Sequence, residues 1–251
     1  HLDELCGPAS YNHYNTGWAW AFDTPFPYWK RWAGYEGGIA DMCMVSWPAR
    51  LQPRTEPLHQ YIHAVDVVPT IYELLDIDPP AELKGSPQSP IEGESFAATL
   101  TDPTAPGKQT QFYAMLGQRS LYHEGWLACS LHPPISGWGN FGHDVWELYH
   151  LDEDRAQLHN LADTEPQRLA EMKELWFYYA GIFNGLPLDD RNALEQVLAD
   201  RPHPGKPRDR YVYYPNCADV PESAGAPITG RSYTIAAGGH VGTSHAAGGL
   251  F

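Results

Sequence analysis

The sequence predicts a mixed α/β fold that gives way to a small antiparallel sheet with a helix packed on it (an α+β subdomain), and three observations predict it. Residues 39–47 run almost without a polar break, as a strand covered on both faces does. Ile62, Val65, Val68, Ile71 and Leu75 then recur at helical spacing. Farther on, short strand-like runs broken by turn residues lead into Leu169, Met172, Trp176, Tyr179 and Phe183, spaced at threes and fours as on one face of a helix. A strand followed by a helix is half of an α/β layer, whereas strands followed by a long helix make an α+β unit.

Taken in order, residues 1–29 are rich in Trp, Tyr, Asn and Pro without a helical or strand period, which predicts an ordered loop that lines something. The 39–47 run is expected as a central strand, with Cys43 as a small buried hydrophobe. A helix over about 67–75 follows, with Asp66 as its N-cap and Pro69 tolerable in its first turn. Residues 76–110, dense in Pro, Gly, Ser and Thr, read as a long surface connection. Three strands are expected over 110–116, 120–132 and 145–151, with a hairpin bend within 119–126. Asp163-Thr164-Glu165-Pro166-Gln167 marks the start of the long helix, and a shorter helix follows Asp189-Asp190 through Leu194, Val197 and Leu198. A proline-rich linker over 201–207 leads to 211–214 and 231–235, which look like the first strands of another β unit. The expected domains are therefore 1–108, 109–200 and 201–251.

With 251 residues, 43% of them hydrophobic, the chain can bury a substantial core. Its formal charge of −15, with no Lys/Arg cluster longer than a pair, argues against nucleic acid or an anionic membrane as partner. No apolar run is long enough to cross a bilayer. An acidic chain that binds any anion must build positive potential locally, and Lys30 with Arg31 would do so. The sequence opens on His1-Leu2-Asp3 and stops at Gly248-Gly249-Leu250-Phe251, so both ends are expected to be cuts in a longer polypeptide. The four cysteines form no C-x-x-C pair and leave the redox compartment open.

Several motif fragments carry no chemistry when their context is checked. His59-Gln60-Tyr61-Ile62-His63 has the two-histidine spacing of a zinc site, but Gln60 stands where the catalytic glutamate is needed. Gly137-Trp138-Gly139-Asn140-Phe141-Gly142 matches a dinucleotide fingerprint in letters, yet Pro133-Pro134 precedes it where a strand should. Asp152, Glu153 and Asp154 lack the glycine and distal glutamate of a calcium loop, and Gly93-Glu94-Ser95-Phe96-Ala97 lacks the last glycine of a nucleophile elbow. Lys30 is different. It stands six residues before Glu36-Gly37-Gly38, a tight turn that feeds the 39–47 run and Trp47-Pro48. By position alone it could equally lie over aromatic surface within Trp29-Lys30-Arg31-Trp32.

That block, together with Tyr11-Asn12-His13-Tyr14, Gly17-Trp18-Ala19, Val65-Asp66-Val67-Val68-Pro69-Thr70, Tyr122-His123-Glu124-Gly125-Trp126, and Trp146-Glu147-Leu148-Tyr149 leading to His159-Asn160-Leu161, resembles the C-terminal half of the sulfatase domain of large bacterial arylsulfatases, a branch of the alkaline-phosphatase-like superfamily. The resemblance implies a partial alkaline-phosphatase-like core followed by that family's small C-terminal subdomain. It implies sulfuric ester hydrolysis with a formylglycine nucleophile and a calcium ion, both supplied by polypeptide outside this chain, so that the 251 residues alone are expected to be inactive. It assigns Lys30 as the catalytic cation on the sulfate group. One extra residue in the spacer keeps Arg31 as a competing assignment. No metal ligand and no cofactor-binding residue is assigned within the chain. Cys6-Gly7-Pro8-Ala9-Ser10 resembles the nucleophile motif but has Ser10 where arginine belongs. The expected partner is a small-molecule or glycan sulfate ester. A phosphomonoester or phosphonate hydrolase of the same superfamily, and a non-catalytic glycan-binding module, are the alternatives.

Overall fold

The computed structural model describes residues 2–4, 7, 13–132, 140–191, 193–199, 208–214, 217, 220 and 225–239. The chain divides into two compact units, His1–Leu198 and Ala199–Phe251. In the first, two short helices, α1 (Thr16–Asp23) and α2 (Glu36–Ile39), and a longer one, α3 (Val67–Leu75), precede a two-stranded hairpin of β1 (Glu82–Leu83) and β2 (Ser86–Pro87). A four-stranded antiparallel meander follows: β3 (Thr110–Met115), β4 (Gln118–His123), β5 (Trp126–Ser130) and β6 (Trp146–His150), in that order across the sheet. Helices α4 (Pro166–Ile182) and α5 (Ala193–Leu198) complete the unit.

The meander works as a two-sided wall. The register Phe112↔Leu121, Leu121↔Ala128 and Ala128↔Leu148 stacks apolar side chains on one face, against Met172, Trp176 and Ala180 of α4. Alternation sends Tyr122, Leu127, Cys129 and Tyr149 to the other face, where Tyr35 closes over them with Tyr28, Trp32 and Tyr61. The antiparallel sheet with its packed helix is thus the architecture the sequence predicts, within a mixed helix-and-strand chain. Pro166 occupies the first turn of α4, where its missing N–H costs nothing.

Several expectations need correction. The run expected as a strand over 120–132 is two strands, and the hairpin bend expected within 119–126 falls at Glu124 and Gly125, which both adopt positive φ (48° and 83°) and turn the chain back. The 39–47 run is not a buried central strand. Ile39 ends α2, residues 40–47 pair with no described strand, and Met42, Cys43 and Met44 are exposed. Its composition suits a strand between neighbours, but a strand needs those neighbours for its amides. Residues 1–29 are not all loop, since α1 forms within them; Asn15 caps it by accepting from the Gly17 amide at 2.8 Å, and Trp18 stacks on Phe22 one turn later. Among the described residues of the second unit, 211–214 and 231–235 form no strand. The Cys6, Pro8-Ala9-Ser10, Tyr11-Asn12, Gly137-Trp138-Gly139 and 201–207 readings lie outside the described residues.

Helix α3 has the predicted bounds, but the side chain of Asp66 does not cap it. Instead the carboxylate accepts from the His63 amide (2.8 Å), the Glu94 amide (2.8 Å) and the Lys108 ammonium (2.6 Å). Thr70 extends the knot, donating to the Asp66 carbonyl and accepting from the Phe96 amide. One buried carboxylate therefore ties α3 to two stretches of the long connection.

Candidate functional site

Lys30 rides on a loop whose base is held from three sides. The Ala33 amide donates to Gln118 Oε1 (3.1 Å), and Ser120 Oγ donates to the Ala33 carbonyl. Gln157 donates to the Gly34 carbonyl (3.0 Å) and accepts from the Glu36 amide (2.7 Å). Tyr35 reaches across the sheet to Glu147 Oε2 at 2.5 Å, a carboxylate that Tyr149 also serves at 2.9 Å. Burial, reinforced by the nearby Glu147 carboxylate, pushes both phenols well above their ordinary range, so they stay protonated donors.

The diglycine is required by close approach. A methyl at Gly37 would strike the Pro27 and Tyr28 carbonyls, and one at Gly38 the Trp32 carbonyl. Chain 27–32 is thus folded tightly over the start of α2, which the Gly37 and Gly38 amides pin through bonds to Pro27 (3.2 Å) and Tyr35 (2.8 Å).

On this base the two cations differ. Lys30 is exposed and takes no hydrogen bond or ion pair among the described residues. Arg31 is half-buried at φ 92°, its guanidinium 5.9 Å from the Trp32 ring centroid and its Nε enclosed without a partner. The exposed charge is that of Lys30. It does not stand in a closed cavity: an open groove of ≈ 420 Å³ lies by Arg54, His59 and Gln60, another of ≈ 430 Å³ by Trp47, Arg50 and Glu73, and Lys30 lines neither.

At the start of α2, Glu36 is 3% exposed and bonds Arg155 Nε at 2.9 Å. Burial raises its carboxyl above the ordinary range, and the guanidinium pulls it part of the way back. The folded chain therefore holds this proton more tightly than the unfolded chain does. The resulting stabilisation is complete below the ordinary glutamate pKa of about 4.3 and is lost as pH rises through the raised value. Glu36→Gln removes that loss. The variant's melting temperature is expected to gain on the parent's as pH rises above the ordinary glutamate pKa of about 4.3, and parallel curves would show that Glu36 ionises without cost.

The histidines of the zinc-like spacing do not converge. His63 Nδ1 accepts from the Val65 amide at 3.3 Å, and burial holds its pKa below the ordinary value, so it is a structural neutral imidazole, whereas His59 is exposed in the first groove. No group of three or more His, Cys, Asp or Glu among the described residues could hold a metal ion. The donor set a calcium ion needs is not assembled by these residues. Sequence reasoning missed Gln118, Ser120, Gln157 and Arg155 as supports of the loop.

No family model matches the chain. Over 181 residues, 71% of its length, it is 27% identical to an uncharacterized sulfatase of Schizosaccharomyces pombe. The chain is sulfatase-like. It spans 31% of the length of that relative. A solved structure from a Bacteroides thetaiotaomicron locus for the metabolism of multiple glycosaminoglycans shares 21% identity at a TM-score of 0.46, over 59% of this chain and 30% of that one. Another, in complex with its substrate D-glucosamine-2-N,6-O-disulfate, shares 15% at a TM-score of 0.36, over 51% of this chain and 25% of that one. Superpositions this loose carry no argument. Among the described residues, no helix is long and apolar enough to cross a membrane.

Proposed function

We propose that this sulfatase-like chain is part of a sulfuric ester hydrolase and that Lys30 is its contribution to the chemistry. In the reaction water is added across the ester: the bond from sulfur to the alcohol oxygen breaks, that oxygen takes a proton, and hydrogen sulfate is released. The ammonium of Lys30 meets negative charge on the sulfate group and on the departing oxygen, an electrostatic role and not that of a base. The observation that carries this reading is the exposed cation Lys30, which has no hydrogen bond or ion pair among the described residues, presented on a tightly braced loop in a chain of charge −15. The sequence similarity to a sulfatase supports it. The formylglycine nucleophile and the calcium ion belong, on this reading, to polypeptide beyond these residues.

Two measurements test it. The 251-residue chain given an aryl sulfate and calcium should release no sulfate; calcium-dependent turnover would overturn the view that its site is incomplete. In a longer polypeptide that carries this chain and cleaves sulfate esters, Lys30→Ala should lower kcat/KM by about 100- to 1000-fold, the scale of one preorganised donor. An unchanged kcat/KM, or a phosphate monoester cleaved faster than the matching sulfate ester, would sink the assignment.

A further inference from the structure

We propose that Gln157 is a positioning residue for Lys30, an inference that rests on the reading of Lys30 above and adds the side chain that aims it. Tyr35 is extended, at φ −138° and ψ 144°. In such backbone the carbonyl of the residue before and the amide of the residue after point to the same side. Gln157 takes both: its Nε2 donates to the Gly34 carbonyl at 3.0 Å, and its Oε1 accepts from the Glu36 amide at 2.7 Å. One carboxamide thus stands in for the edge of a neighbouring strand. Asparagine is a methylene too short for this, and glutamate has no N–H to give the carbonyl. Gln157 is buried and adopts φ 52°, a conformation costly for an L side chain, and its turn also sends Arg155 to the Glu36 carboxylate.

The clamp reaches Lys30 through short bonded steps on both sides. After Glu36, the Gly37 amide donates to the Pro27 carbonyl at 3.2 Å; before Gly34, Ala33 is held at its amide by Gln118 and at its carbonyl by Ser120. Lys30 lies midway between Pro27 and Ala33, so both roots of its turn end on the clamped segment. Within the turn Tyr28 and Arg31 sit at φ 64° and 92°, and the Trp32 amide closes on the Trp29 carbonyl at 3.2 Å. Two non-glycine residues at positive φ within a run of four persist only where the surroundings over-determine them. Without the carboxamide the turn can relax, and the ammonium moves with it. The backbone, and not a partner of its own, sets where the exposed charge of Lys30 stands.

The test is a double-variant cycle in a longer polypeptide that carries this chain and cleaves sulfate esters. Gln157→Met keeps nearly the same length and removes both hydrogen bonds. It should lower kcat/KM by about 10- to 100-fold, the scale of a charge misplaced by about 1 Å. The loss should fall on kcat and not on KM, because the cation meets charge that develops in the transition state. In the Lys30→Ala background the same substitution should change kcat/KM by less than about 2-fold, since no cation is left to aim. A purely structural glutamine would cost the same in both backgrounds. In the 251-residue chain, amides within 27–36 should exchange with deuterium faster in Gln157→Met than in the parent, with those of α4 unchanged. If α4 also loses protection, Gln157→Glu, which keeps the acceptor for the Glu36 amide, takes its place in both measurements. Unchanged kcat/KM, a loss confined to KM, equal losses in the two backgrounds or unchanged exchange over 27–36 would overturn the positioning role and leave the reading of Lys30 standing. A Lys30→Ala variant as active as its parent would remove both.

Discussion

Asp66→Ala should cost about 3–5 kcal/mol of stability, the scale of breaking a buried ion pair. The carboxylate and its partner Lys108 have side chains only 2% and 6% exposed, so removing one leaves the other charged group without compensation away from water. Two backbone amides, of His63 and Glu94, lose their acceptor in the same step. A double variant separates the pair's worth from the cost of orphaning it. Replacing both partners, as Asp66→Asn with Lys108→Met, should be less damaging than Asp66→Asn alone, because no uncompensated cation remains. Urea denaturation of the four proteins in that cycle gives the coupling. If Asp66→Ala lost under about 1 kcal/mol, the knot would have to be solvated and not buried.

Trp176→Ala should be of similar size, about 3–5 kcal/mol, through a different cause. Trp176 is fully buried in the layer between α4 and the sheet, its ring 5.2 Å from Phe112 and 6.2 Å from Trp146. Its Nε1 also donates to the Tyr113 carbonyl at 3.0 Å, so truncation opens a cavity and leaves a strand acceptor unpaired. Trp176→Phe keeps most of the volume and should lose about 1–2 kcal/mol, mainly the hydrogen bond. Loss of the near-ultraviolet dichroism of this cluster at lower urea would mark the change, and equal stability of the alanine and phenylalanine variants would contradict it.

What the sequence reveals of this chain depends on how far apart the interacting residues lie. Helices α3 and α4 and the meander are local patterns, and periodicity finds them. The Lys30 loop is legible for the same reason: a lysine, a diglycine and a strand-like run fall within twenty residues. Its supports are not, because Gln118 and Gln157 reach it from 85 and 121 positions away and glutamine in a strand or turn carries no signal of its own. Helix α1 escapes detection because its aromatics face outward and so show no apolar stripe. The 39–47 run misleads because composition reports what a segment would do between two neighbours and cannot report whether they are present.

The exposed 40–47 segment has a practical consequence for anyone handling the isolated chain. A stretch outside any described strand that carries oily side chains such as Met42 and Met44 can pair against another molecule, and concentrated samples should self-associate there first. Cys43 sits midway along it with an accessible thiol, so air oxidation would lock two such molecules together, and a covalent dimer that vanishes on adding reductant would report the event.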